Sequence, residues 1–467
     1  MSNTIGSVMT INLRGGGNWR TSGLWYGYER DITSLSKLVT RIGNSDLHRS
    51  LPIQNKIARA VVKLDGTLNY WLHPNNSLLR WDNGLPAKLD GTDGNLKLLK
   101  PGLYFRAEIE GNKYRKMYSE VPLPGFMYMK PEWVSWVHGT FDNVNDRAAA
   151  VCSLLFDENG DVARGENGLP LFTPNAAQFR GGSNNAALDG TATSQLGMAR
   201  TNVTKAVVRQ QARNAGLHFG VYSAMSQLAG LQTTEYANYD AEEAFNPNLD
   251  ANGFKQGGLG YGPNVTSGEW AAFNDYYGFI PEGVTAKLGN KTGVVNYVVK
   301  DWGGAGIDKT IEVGSWRGLE KWFGYIYCMV DDLLVYHQSG EGGLSKAYVC
   351  DDPALFANPA NDSLPAMPAG YVERAILPRA SGYGLNENIN QYGDMLISQI
   401  GGSSNQGTCD YIYISSDLAG HYQALLFAAA NDSTYRGPRF AYTYYRSTVA
   451  RASIGFRLGR ETESGAI

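Results

Sequence analysis

The segment AYTYYRSTVARASIGFRLGR, residues 441–460, joins a group of tyrosines to a short apolar stretch. Within that stretch Ile454, Phe456 and Leu458 occupy every second position. Successive side chains of a β-strand point to opposite faces, so this alternation predicts a strand whose apolar face closes a core. Tyrosine combines a large apolar ring, few rotatable bonds and a hydroxyl group, which suits it to recognition surfaces. The segment therefore predicts a core strand beside an exposed binding surface.

The composition indicates a globular protein with two or three domains. The chain has 467 residues, of which 43% are hydrophobic and 18% are charged. These values exclude an intrinsically disordered chain, and the length exceeds that of an ordinary single core. The 56 glycines follow no fixed period and predict many turns. Aromatic residues reach 12%, led by 28 tyrosines, which is typical of a protein with a binding surface.

Charge and hydropathy exclude two classes of partner. The net charge is −3 and no long basic run occurs, so the sequence lacks the positive patch that nucleic-acid binding requires. No run of about 18 apolar residues occurs, so we expect no membrane insertion. The first residues lack the pattern of a charged segment followed by an apolar block, so we expect no signal peptide.

The sequence favours no metal site, cofactor or catalytic centre. Cys152, Cys328, Cys350 and Cys409 form no CxxC pair, so we expect four buried free thiols. No GxSxG motif occurs, which argues against a serine hydrolase. His218 lies between two predicted helices; it is either a catalytic base or, as we prefer, a capping or packing residue. We therefore expect no enzymatic activity.

Turn signals and periodicity divide the chain. Residues 1–125 predict short strands between Asp-Gly turns, with a hairpin over 99–121. The segment 122–142 carries three prolines and then an aromatic run, and we place the start of a second domain there. Helices are predicted over 204–216, capped by Thr204, and over 219–237. Alternating segments then return, including 325–337, 410–415 and 439–445.

Two motifs carry a resemblance to a known family. The segment SWRGLEKWFGYIYCMVDDLLV, residues 315–335, has the form R-G-x-E followed by a V-D pair, and IGFRLGR closes the chain. Together they resemble the formylglycine-generating-enzyme type of C-type-lectin-like domain. They are similar to phage receptor-binding proteins and diversity-generating variable proteins. Segments such as EVPLPGFMY (120–128) and GGSSNQGTCDYIYI (401–414) look like those of large phage proteins from gut Bacteroides.

The resemblance implies an α+β fold in two parts. Residues 1–125 would be a β-rich domain that docks onto the virion or mediates oligomerisation. Residues 126–467 would form the C-type-lectin-like domain, with two helices, a small antiparallel sheet and long irregular insertions. Formylglycine-generating enzymes use a pair of cysteines near the C-terminal region, whereas Cys409 stands alone there, which argues against that activity.

In such proteins the last strands and their loops form an exposed face whose side chains vary over a fixed scaffold. Positions of this kind are commonly Asn, Tyr, Ser, Asp or Thr. The resemblance thus implies these ligand-binding candidates: Asn405, Gln406, Tyr411, Tyr413, Gln423, Asn431, Asp432, Tyr435, Arg436, Tyr442, Tyr444, Tyr445, Ser447 and Arg451.

Several of these residues have an alternative interpretation. If 442–445 is a strand, Tyr442 and Tyr444 share one face and Tyr445 takes the other, so the tyrosines either bind a ligand or pack together. Trp316, Arg317 and Glu320 are expected to form a buried structural network with an Arg–Glu pair.

Two acidic pairs, Asp331–Asp332 and Asp351–Asp352, are either calcium ligands or solvated pairs. No calcium-loop motif supports the first interpretation, so we prefer the second.

The family implies a function on the virion surface. The expected role is a receptor-binding protein of tail or head that contacts a bacterial surface glycan or protein. Other virion proteins would bind the N-terminal domain, and a homo-oligomer, with a trimer favoured, would multiply weak contacts. The alternative is a structural head or tail decoration protein without a host ligand, whose aromatic surface would be covered by another virion protein.

Overall fold

A computed structural model describes residues 18–462. Strands make up 35% and helices 14%, so the protein is a β-rich α+β protein, which confirms the predicted class at this level. Ten strands lie before residue 135: β1 Trp25–Asp31, β2 Thr40–Gly43, β3 Ala58–Val62, β4 Leu68–His73, β5 Asn76–Arg80, β6 Asn95–Lys100, β7 Leu103–Glu110, β8 Lys113–Ser119, β9 Met127–Met129 and β10 Glu132–Val134.

The middle of the chain contributes short strands and most of the helices. The strands are β11 Thr140–Asp142, β12 Arg147–Ala149, β13 Phe245–Leu249, β14 Lys255–Gly257, β15 Gly293–Val299, β16 Lys309–Trp316 and β17 Leu319–Glu320. The four α-helices of the described chain are α1 Ser45–Ser50, α2 Lys205–Asn214, α3 Tyr222–Tyr236 and α4 Ser267–Asn274. None of them is long and apolar enough to cross a lipid bilayer.

The C-terminal part contributes ten more strands. They are β18 Tyr327–His337, β19 Ser345–Val349, β20 Val372–Leu377, β21 Ala380–Glu387, β22 Ile397–Ile400, β23 Tyr411–Ser415, β24 Gly420–Leu426, β25 Ala441–Tyr442, β26 Ile454–Phe456 and β27 Gly459–Glu461. Nine of these ten strands form one sheet in the order β20-β19-β18-β24-β25-β23-β21-β22, with β26 paired to β18.

This nine-stranded sheet is a near-closed barrel rather than the small antiparallel sheet that was expected. It is mixed, because β26 runs parallel to β18 and β25 runs parallel to β23. The predicted closing strand is confirmed: Ile454, Phe456 and Leu458 are all fully buried. The opposite face of this closing segment is also buried, and there the Arg457 guanidinium donates hydrogen bonds to the carbonyls of Glu320 and Lys321.

The two predicted helices are confirmed as α2 and α3. Thr204 Oγ1 accepts the Val207 N–H at the start of α2, as the cap predicts. On that helix Val208 is fully buried, whereas Val207 is 44% exposed. The other two helices, α1 and α4, were not predicted.

The N-terminal strands form two sheets, and one of them includes the last strand of the chain. β7 and β8 form the predicted hairpin in a five-stranded sheet of order β2-β1-β8-β7-β9. The second sheet has the order β27-β10-β6-β3-β4-β5. It therefore joins strands from both sides of residue 125, and one continuous hydrophobic core extends from Tyr26 to Leu458. The division into domains at this residue stays a prediction.

Candidate recognition surface

Strand β23 presents tyrosines on the face that points away from the core. Ile412 and Ile414 are buried, whereas Tyr411 and Tyr413, at the alternate positions, are half-buried. This is the alternation expected of a strand with one face on the core. The side chains of Tyr411 and Tyr413 lie side by side, with ring centroids 4.7 Å apart.

Neighbouring strands extend this row of rings in both directions. On one side Tyr383 of β21 pairs with Tyr411, and the ring centroids are 5.1 Å apart. On the other side Tyr442 of β25 pairs with Tyr413 at 5.2 Å. Cross-strand aromatic pairs of this kind stabilise a sheet. The sheet register therefore places tyrosines of three strands in one continuous row.

Three further tyrosines from loops complete the group. Tyr435 is the last residue of the short 3₁₀ turn Ser433–Tyr435, and its ring lies 4.5 Å from that of Tyr411. Tyr444 and Tyr445 contact Tyr442 at 5.3 and 4.9 Å. We define the tyrosine surface as the seven half-buried residues Tyr383, Tyr411, Tyr413, Tyr435, Tyr442, Tyr444 and Tyr445.

The expected division of Tyr442, Tyr444 and Tyr445 between two faces is wrong. Strand β25 ends at Tyr442, so the alternation of a strand does not apply to the two residues that follow. Both of their rings contact Tyr442, and both are half-buried. The packing and binding interpretations are compatible, because each ring contacts its neighbours and still exposes part of its area.

The hydroxyl groups of the strand tyrosines on the tyrosine surface remain protonated and polar. Burial raises the pKa of Tyr411, Tyr413 and Tyr442 above the ordinary value for tyrosine. Tyr383 Oη lies 2.8 Å from Thr434 Oγ1, within hydrogen-bond distance. Within residues 18–462 the Tyr411 and Tyr413 hydroxyls have no hydrogen-bond partner. The surface therefore offers neutral donors and acceptors next to exposed ring area.

Four of the predicted ligand-binding residues are buried. Gln423 is fully buried, and its amide donates to the Arg446 carbonyl at 3.1 Å. Asp432 accepts hydrogen bonds from the Tyr327 hydroxyl at 3.0 Å and from the Ala429 N–H at 2.7 Å. Ser447 is 5% exposed. Gln423 and Asp432 are thus hydrogen-bonded within the protein, and Ser447 is largely shielded from solvent.

Arg436, the fourth buried candidate, fixes the loop that carries Tyr435. Its guanidinium donates to the Tyr261 carbonyl at 2.7 Å and to Asn264 Oδ1 at 2.9 Å. It also lies 3.3 Å from the Glu242 carboxylate. These contacts tie the tyrosine-bearing loop to residues 261–264.

The other polar candidates lie at or near the protein surface. Arg451 is exposed, and its guanidinium lies 5.1 Å from the centroid of the Tyr445 ring, which places it beside the tyrosine surface. Asn431 donates to Ser267 Oγ at 2.8 Å, at the start of α4. Asn405 and Gln406 are exposed on a turn after β22. Across the described chain no hydrogen bond joins these last two to the tyrosine surface.

The buried network around Trp316 is confirmed, but the expected pair of Arg317 with Glu320 is wrong. Arg317 instead binds Glu235 through two hydrogen bonds of 2.6 and 3.1 Å. Glu320 is fully buried and accepts the N–H groups of Gly283 and Thr285. Both carboxylates are thus satisfied by structural partners.

The expectation of a solvated Asp331–Asp332 pair is also wrong. Asp331 is 1% exposed and accepts two hydrogen bonds from Arg209, at 2.5 and 2.7 Å. Asp332 is 3% exposed and accepts the N–H groups of Tyr222 and Ser223 at the start of α3. A carboxylate is stabilised there by the free N–H groups of the helix.

The remaining expectations concern surface acids, histidine and thiols. Asp351 is exposed as expected, although it pairs with Arg374 at 2.6 Å. His218 packs edge-on against Phe356, with ring centroids 5.8 Å apart, as a packing histidine would. All four cysteines are buried free thiols, as predicted. No group of His, Cys, Asp and Glu suited to a metal ion occurs between residues 18 and 462.

One member of the tyrosine surface was missed by the sequence reasoning. Tyr383 precedes the first predicted ligand-binding residue, Asn405, but the alternation of GYGLNE over 382–387 could have marked its strand. The pairing of β21 with β23 could not be predicted from the sequence of either strand alone. No protein-family model matches the chain, and no match to a curated protein reaches significance.

Proposed function

We propose that the protein is a non-enzymatic receptor-binding protein of a phage virion, which presents the tyrosine surface to a ligand on the bacterial cell. The observation that carries the proposal is the continuous group of seven half-buried tyrosines, four on three adjacent strands and three on the loops beside them. Tyrosine is enriched among the residues that dominate binding energy, and truncating such a residue costs about 2 kcal/mol or more.

The scaffold beneath the surface suits this role. Ile412, Ile414 and Ala441 are buried behind the tyrosines. The outward side chains of β23 can therefore change while the core that holds the strand stays the same. We propose that residues 126–467 are a C-type-lectin-like domain of the formylglycine-generating-enzyme type, with α2 and α3 beside the sheet.

The N-terminal part, residues 1–125, would attach the protein to other virion proteins or hold a homo-oligomer together, with a trimer favoured. Several copies would present several tyrosine surfaces to one cell. Linked binding sites can raise the overall affinity by roughly 10²–10⁴ over a single site. A weak contact with a surface glycan or protein would then be sufficient for adhesion.

The second candidate function is a decoration protein of the virion head or tail without a host ligand. It is favoured by the burial of Gln423, Asp432, Arg436 and Ser447, because buried side chains fit a fixed surface better than a variable one. In that case the tyrosine surface would be covered by another virion protein.

Binding of labelled protein to intact Bacteroides cells tests the proposal. The variant carries Tyr442→Ala, Tyr444→Ala and Tyr445→Ala, and its melting temperature must equal that of the wild type. The matched control is Trp81→Ala, which removes an exposed aromatic side chain directly after β5, outside the tyrosine surface. We expect the triple variant to lose at least about tenfold in binding and the control to bind as the wild type does. Equal binding by all three proteins would place the ligand elsewhere. Absence of binding to every strain, with capture by virions that lack the protein, would favour decoration.

A further inference from the structure

A cleft of about 460 Å³ lies between the N-terminal sheets and the C-terminal barrel. It is lined by the turn from β9 to β10, the start of α3 and the loop after β19. Its volume lies within the range of small-molecule sites, which occur preferentially where two parts of a fold meet. The tyrosine surface contributes no residue to its lining.

Ionisable side chains are buried in its walls. Lys100, Asp332 and Asp394 are each no more than 3% exposed. Lys100 Nζ donates to Gln227 Oε1 at 2.7 Å, and Asp394 accepts from Asn390 Nδ2 at 2.5 Å. Burying an ionisable group is unfavourable, so several of them around one cleft mark a candidate functional site.

Two other lining residues have polar atoms without partners. Glu132 Oε1 and both ring nitrogens of His218 are shielded from solvent, and none has a hydrogen-bond partner within the described chain. These atoms lie close together beside Gly459. A Cβ atom placed on this glycine would lie 2.7 Å from His218 Nδ1 and 3.1 Å from Glu132 Oε1. Most buried polar atoms in proteins are hydrogen-bonded, so unpaired ones at a cleft indicate a missing polar partner.

The protonation states favour an uncharged partner. Burial raises the pKa of Glu132 to about 8 and that of Asp332 to about 7, so much of each carboxyl group is neutral near pH 7. Burial lowers the pKa of His218 to about 3, so its ring is neutral as well. Five acidic and three basic side chains line the cleft, a balance that disfavours an anion such as phosphate.

Aromatic residues supply apolar walls beside these polar groups. Tyr128 is 52% exposed at the rim, and Tyr392 is held by the Arg374 guanidinium, which lies 3.6 Å from its ring centroid. Phe356 packs against His218 at the inner end. Sugar rings combine hydroxyls, which both donate and accept, with apolar C–H faces that stack on aromatic rings.

We propose that this cleft is a second binding site, distinct from the tyrosine surface, and that it takes one or two units of an uncharged sugar. The sugar hydroxyls would pair with Glu132 and His218, and its C–H face would lie against Tyr128 and Tyr392. This site does not depend on the role proposed for the tyrosine surface.

Saturation-transfer NMR on the full chain with a panel of neutral sugars (glucose, galactose, mannose, fucose and N-acetylglucosamine) tests the proposal. We expect at least one sugar to receive saturation. Tyr128→Ala and Glu132→Ala should each weaken its binding at least tenfold, whereas Trp81→Ala, which removes an exposed aromatic side chain outside both the cleft and the tyrosine surface, should leave it unchanged. Because Tyr128 is exposed, its variant remains informative even if Glu132→Ala fails to fold.

Three results would overturn the assignment. One is the absence of transfer to every sugar of the panel. Another is transfer that both cleft variants retain, or that Tyr411→Ala abolishes, because the sugar would then bind at the tyrosine surface instead. The third concerns charge: glucuronate should bind at least tenfold more weakly than glucose, and equal or tighter binding would show that the cleft takes an anion.

Discussion

Arg439 Nε donates a hydrogen bond of 2.8 Å to Glu387 Oε2, and both side chains are almost completely buried. The same carboxylate accepts the Tyr28 hydroxyl at 2.7 Å and the Tyr239 hydroxyl at 3.0 Å, and it lies 2.9 Å from Lys116 Nζ. Glu387 thus connects strands β1 and β8 of the N-terminal part to the segment that leads into Tyr442. The tyrosine surface rests on this buried network.

Glu387→Gln should destabilise the protein strongly. Its two cationic partners, Arg439 and Lys116, would remain buried without a counter-charge, and breaking a buried pair in this way costs about 3–5 kcal/mol. The free energy of unfolding from urea titration measures the effect. Glu373→Gln is the matched control, because Glu373 pairs with Lys346 at the surface and should contribute less than about 1 kcal/mol. Equal effects of the two substitutions would contradict the structural role of the network.

His48 should make stability depend on pH. Burial lowers its pKa from 6.5 to about 4, so between these pH values the His48 imidazole is protonated in the unfolded chain but neutral in the folded chain. The neutral imidazole therefore contributes its full share of the folding stability above pH 6.5. That share, up to about 3 kcal/mol, is lost as the pH falls towards 4. Urea titrations at several pH values should show that His48→Gln loses less stability than the wild type over this interval. Parallel curves for the two proteins would contradict a buried neutral imidazole.

Thr204→Ala should lower the free energy of unfolding by about 1 kcal/mol. The substitution removes the hydroxyl that accepts the Val207 N–H at the start of α2. Thr204→Ser retains an acceptor and should restore most of the loss. A Ser variant as unstable as the Ala variant would show that the methyl group, rather than the cap, is the important feature.

The four thiols should be inert in the native protein. All are buried, and burial raises the pKa of Cys152 and Cys328 to about 12, which suppresses the reactive thiolate. Titration with a disulfide reagent should detect no thiol in buffer and four in concentrated urea. Rapid reaction of any cysteine in the native protein would show that its surroundings open readily.

Local patterns in the sequence predicted the elements that carry their own signal. The alternation in IGFRL predicted a buried strand, and Thr204 with the helical spacing that follows predicted α2. The pattern Thr266-x-x-Glu269 is a capping box that the structure contains at the start of α4, yet no helix was predicted there because the segment is rich in glycine.

Features that depend on tertiary contacts were not predictable in the same way. The Asp331–Asp332 pair resembled a solvated turn, because the partners that bury it, Arg209 and the start of α3, lie more than 100 residues earlier. The tyrosine surface also depends on pairing between distant strands, since β21, β23 and β25 meet only in the folded barrel. A strand of two residues, β25, is too short to show a period.

Oxidative footprinting of the protein bound to Bacteroides cells tests the central proposal most directly. Hydroxyl radicals label exposed aromatic side chains, and mass spectrometry compares free with cell-bound protein. We predict that Tyr411, Tyr413 and Tyr435 lose most of their labelling on binding, while Trp81, which is 55% exposed elsewhere, keeps its own. Unchanged labelling of the three tyrosines in protein that is bound to cells would contradict the proposal.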